Sequence, residues 1–138
     1  MERATLVRLA LAIRIVYMFC LAVASYNHAV AVVHHGWDWN YGGMPIGTVV
    51  FWTSLTLLDP LIAILLIVKP RPAVIMLVIL MVSDVANNTW VILRYGGRDW
   101  MVASQWIFLA FVLATMGLVW RATSADRTRF RAKPTTPV

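Results

Sequence analysis

The chain has 138 residues, 61% of them hydrophobic and only 13% charged, with a mean hydropathy of +0.76. An ordinary soluble domain carries about 45–50% apolar and about 25% charged residues, so a water-soluble globule does not account for the surplus, which has to face lipid. The formal charge of +6 and the pI of about 10.3 come from basic residues placed between and beyond apolar runs, and no nucleic-acid-binding motif accompanies them, so nucleic acid is excluded as the expected partner.

The first apolar segment covers residues 9–33 and predicts a membrane-spanning helix, since about 20 apolar residues cross a ~30 Å hydrocarbon core. Arg3 and Arg8 before it, with Ala22-Val23-Ala24 inside it, imitate a cleavable secretion signal. The apolar run continues past that point, so the helix is read as retained. Cys20, the single cysteine, reads as a small apolar helix residue. Ser25 and His28 are three apart and share a face. His34, His35 and Asp38 follow at the helix end. Their spacing matches no known metal signature, so His34 and His35 are weak metal candidates only.

The second segment, 48–68, holds Trp52, Thr56, Asp59 and Pro60. Proline has no N–H, so the Thr56 carbonyl loses its helical donor and a kink is expected beside Asp59; proline is also common in membrane helices for no other purpose. Lys69-Pro70-Arg71-Pro72 is so short a link that the second and third helices must form a tight antiparallel hairpin. The third segment, 73–93, carries a polar stripe of Ser83, Asp84, Asn87 and Asn88, followed by Trp90. The fourth, 101–120, includes Ser104 and Gln105, and an Ala110-x-x-x-Ala114 pattern with Ala103 and Gly117, a face that lets another helix approach closely. Residues 121–138 are polar and basic and read as a disordered tail.

The expected fold is thus all-α, a four-transmembrane-helix bundle over residues 1–120. One face of the membrane collects Arg3, Arg8, Arg14, Lys69, Arg71, Arg121, Arg127, Arg129, Arg131 and Lys133, the other only Arg94 and Arg98. The positive-inside rule then puts both termini in the cytoplasm of a cell that holds the protein in its inner membrane.

Asp59 and Asp84 are the most informative residues. Each lies 11 residues into its segment (59 − 48 and 84 − 73), about 16 Å deep at the helical rise, so the two acids are expected level near the midplane. A membrane-embedded acid costs at least ~2.5–3.5 kcal/mol and defaults to a functional hypothesis; close acids cannot both ionise cheaply. The structural alternative is hydrogen-bonded glue between helices. Polar groups gather in the outer half of the bundle, and six of the seven tryptophans lie near that face, which predicts an aromatic-walled vestibule as well as an anchoring belt.

Asp59, Asp84, Asn87, Asn88, His28, Thr56, Trp52 and Trp90 form the expected ligand or proton site of a protein that binds or transports a small apolar or cationic ligand, with proton coupling as an option. Two alternatives stand beside it. One is an accessory or assembly subunit of a larger membrane complex, whose polar stripe meets partner helices; a homodimer or a membrane-protein partner is open as well. The other is an acid–base isomerase-type enzyme on a lipid-like substrate, with His28 in reach of the carboxylates. No phosphate loop, H-E-x-x-H, G-x-S-x-G or cysteine pair is present, so no catalytic residue and no cofactor is assigned and an enzyme is not favoured.

Overall fold

The computed structural model describes residues 2–97 and 99–131, with side chains over 2–97 and 100–123. It consists of four helices: α1 (Arg3–His35), α2 (Ile46–Val68), α3 (Pro70–Tyr95) and α4 (Asp99–Arg131). No strand occurs among the described residues. Each helix contains a stretch long and apolar enough to cross a membrane.

Local chemistry explains where the helices stop. Gly36 ends α1 and Gly96 ends α3 with φ of 86° and 75°, a left-handed turn that costs glycine little, and their N–H groups donate to Val32 and Ile92. Between α2 and α3 a single residue leaves the helical region: Lys69, at φ −138°. Pro70 forces this, because the proline ring clashes with a helical residue before it, while proline itself suits the first helical position. All four helices exceed the apolar segments that announce them. The largest difference is at α4, which passes Trp120 and continues to Arg131, into the segment expected to be disordered. That stretch has neither glycine nor proline until Pro134, so nothing in it breaks the helix. Residues 132–138, the rest of the expected tail, and Arg98 lie outside the described residues.

The helices pack in a ring, α1 on α2, α2 on α3, α3 on α4 and α4 back on α1. The inner seam of α2 is Thr48, Trp52, Leu55, Asp59, Ile62 and Leu66, spaced alternately by four and three, the ridge that interdigitates in antiparallel bundles. Ile13, Tyr17 and Leu21 of α1, Leu77, Leu80, Met81 and Val85 of α3, and Leu109, Val112 and Val119 of α4 complete the core. The outside is equally apolar: Phe19, Leu57, Ile79, Leu93 and Ile107 are all exposed. A helix apolar on every side belongs in a core or a membrane.

Two polar contacts tie α1 into the ring. Tyr17 is fully buried; its hydroxyl pairs with Thr115 Oγ1 at 2.6 Å, and its ring meets Phe108 and Phe111 edge-on. At the end carrying the α2–α3 link, Arg14 of α1 donates through Nη2 to the carbonyls of Leu66 and Ile67. These belong to the last turn of α2, whose carbonyls have no helical partner, so a cation from a neighbouring helix caps them. The link end is called the basic end below, and the opposite end, with Trp37, Trp39, Trp52, Trp90, Trp100 and Trp106, the tryptophan-rich end.

Candidate functional site

The site lies between α2 and α3, with α4 completing it. Asn88 is its hub. Its Nδ2 donates to Asp84 Oδ1 at 2.7 Å and to Gln105 Oε1 at 3.1 Å, and its Oδ1 accepts from Trp52 Nε1 at 2.7 Å. An indole nitrogen only donates, so Trp52 itself fixes which way the Asn88 amide faces. One residue earlier, Asn87 Oδ1 accepts from Thr48 Oγ1 at 3.0 Å. Three helices are thereby joined through one asparagine.

Asp59 stands apart from this network. It is 3% exposed, occupies a core position of the α2 seam, and its Oδ2 has no hydrogen-bond partner. Thr56 Oγ1, one turn before it on the same face, and Asn87 Nδ2 are likewise buried without a partner. The Thr56 carbonyl also lacks its helical donor, because α2 runs unbroken through Pro60, which has no N–H. Leaving a buried polar atom unsatisfied costs about 1–3 kcal/mol, so such atoms ask for an explanation.

The two acids are not level. Asp59 lies seven residues inward of Trp52, whereas Asp84 lies four inward of that tryptophan's partner, Asn88. Asp59 therefore lies farther from the tryptophan-rich end than Asp84. The expectation of matched depth counted from opposite ends of two antiparallel segments, and α3 starts three residues earlier than that count assumed.

An aromatic file leads from the tryptophan-rich end to the network. His35 stacks on Trp39 at 4.0 Å, Trp39 lies 4.2 Å from Tyr41, and Tyr41 meets Trp52 at 5.1 Å. Tyr41 has φ 50°. The preceding Asn40 holds this turn, its Oδ1 accepting from the N–H groups of Gly42 and Gly43.

Not every expected residue joins. Trp90 is 47% exposed and packs its ring edge-on to Tyr95. His28 is half-buried on α1 and makes no side-chain hydrogen bond to either acid among the described residues. His34 and His35 are exposed, and among the described residues no group of three histidine, cysteine or acidic side chains is placed to hold a metal. Ser83 and Ser104 face outward, the latter bonded to its own helix. Sequence reading missed Thr48 and Tyr41. Thr48 was open to discovery, since it precedes Trp52 by four and Asp59 by eleven residues, along one helical line. Tyr41 carried no such signal, because the loop has no period.

Comparison with protein-family models, with curated proteins and with solved structures gave no match.

Proposed function

We propose that the protein spans a cell membrane four times, with its basic end in the cytoplasm, and that the polar cluster at the tryptophan-rich half binds or transports a small apolar cation in exchange with protons. The single observation behind this reading is Asp59 with its unpartnered Oδ2, buried beside the equally unpartnered Thr56 Oγ1. Structural glue would be bonded. A proton or a cation supplies what these oxygens lack. The aromatic file from His35 to Trp52 suits such a ligand, because ring faces attract cations.

The test uses tetraphenylphosphonium as the probe, with protein reconstituted in liposomes. Binding should weaken as the medium is acidified, because protons compete for the carboxylates, and the double variant Asp59→Asn, Asp84→Asn should lose both the binding and its pH dependence. Unchanged binding and unchanged pH dependence in the double variant would refute the proposal.

A second reading, as an accessory subunit of a larger membrane complex, has one observation in its favour. Ala103, Ala110, Ala114 and Gly117 are all exposed along α4, and a side chain added at Gly117 would meet nothing within 4 Å, so another helix has room to approach. Purification in a mild detergent decides it: a stoichiometric partner supports this reading, and a lone monomer removes it.

A further inference from the structure

The basic end contains two cavities that together have the form of a lipid molecule. The first, about 310 Å³, is lined among the described side chains by Arg14, Lys69, Arg71 and Thr123 with apolar and proline walls. The second, about 470 Å³, is a groove along α3 and α4, walled by Val74, Ile75, Val78, Ile79, Met116 and Trp120, with Gly117 at its floor and Arg121 at its rim. The two follow each other along both helices: on α3 the first is lined up to Pro72 and the second from Val74, and on α4 Thr123 belongs to one and Arg121 to the other. The Arg71 guanidinium lies 5.4 Å over the Trp120 ring where they meet.

We propose that this end binds one anionic phospholipid, its phosphate among Arg14, Lys69 and Arg71 and the upper part of an acyl chain in the α3–α4 groove; this rests on the membrane reading above but not on the acidic cluster. Two features give the cavity its preference for an anion. Three basic side chains, Arg14, Lys69 and Arg71, line it. The α2 carbonyls that would repel a phosphate, those of Leu66 and Ile67, are already occupied by Arg14.

Backbone amides contribute little to the site. Pro70 and Pro72 have no N–H, and Ala73 donates to Lys69, so affinity has to come from side-chain charge. A free phosphate would use the first cavity alone. The apolar groove that follows the basic pocket along α3 and α4 is what points to a lipid, since such a groove beside a basic pocket at the end of a helix bundle suits a charged headgroup with its chain attached.

The experiment is native mass spectrometry of the full chain in detergent, titrated with phosphatidylglycerol or with phosphatidylcholine of the same acyl chains. One phosphatidylglycerol should bind, with a preference of up to about 100-fold, from about 1 kcal/mol for each of three cations. Lys69→Glu, at the exposed link residue, should cut that preference by about 10–30-fold. Gly117→Leu places a side chain in the groove at a position where a Cβ meets nothing within 4 Å and should weaken phosphatidylglycerol binding while helix content and detergent Tm hold. Asp59→Asn with Asp84→Asn should leave lipid binding intact, which separates this proposal from the preceding one. Equal binding of the two lipids, or a preference that survives Lys69→Glu and Gly117→Leu together, would overturn it. So would competition by free glycerol phosphate as strong as that by the lipid, or a dimer that Gly117→Leu dissolves, since the groove would then belong to a second copy.

Discussion

Asp59 and Asp84 differ in what surrounds them, and substitution should separate them. Asp84 is bonded to Asn88, whereas Asp59 Oδ2 is bonded to nothing. Replacing an unsatisfied buried acid with a well-packed apolar residue is often neutral or stabilising. Asp59→Leu should therefore keep or raise the detergent Tm while abolishing tetraphenylphosphonium binding, and a clear fall in Tm would mean that Asp59 serves the fold. Asn88→Ala is the opposite case. It removes three hydrogen bonds at once, strands the Trp52 indole, and should cost about 1–3 kcal/mol of stability, measured by thermal or denaturant unfolding in detergent. The polar stripe on helix three was legible in the sequence because asparagine and aspartate stand out in an apolar run. The direction of each bond was not, because an amide turns to meet whichever neighbour the packing delivers.

At the level of the helices, the ends carry as much information as the spans. Arg14 reads in the sequence as one more cytoplasmic charge, and in the fold it caps the last turn of α2 from a neighbouring helix. Arg14→Leu should cost about 1–2 kcal/mol, since cations at a partly buried helix C-terminus contribute up to about 2 kcal/mol, and Arg14→Lys should restore part of it; detergent Tm of the two variants decides. Tyr17 makes the α1–α4 contact specific. Tyr17→Phe keeps both edge-on ring contacts and loses the hydroxyl's bonds to Thr115 and to the Val112 carbonyl, a cost of about 1 kcal/mol, whereas Tyr17→Ala should cost about 3–5 kcal/mol through the cavity it opens. Neither role could be read from the chain alone. Both partners are distant in sequence, and only packing brings them together.

For the whole molecule, the proposed orientation rests on charge asymmetry and is open to direct measurement. In a Cys20→Ser background, Asp38→Cys in the loop at the tryptophan-rich end should react with a membrane-impermeant maleimide on intact cells. Lys133→Cys should react only after permeabilisation, as the positive-inside rule requires; reversed labelling would invert the proposed topology.

The four apolar helices, their order and the breaks at Gly36, at the Lys69–Pro70 link and at Gly96 were determined by the sequence itself. Length, apolarity and the backbone demands of glycine and proline are local properties, and each acts within a few residues. Only the tertiary structure decided the ring of neighbours, the deeper position of Asp59, the aromatic file from His35 to Trp52 and the pairing of a basic cavity with an apolar groove. Those depend on the rotation and register of one helix against another, set by the summed contacts of many interchangeable Leu, Ile and Val side chains, and no single residue in the sequence announces them.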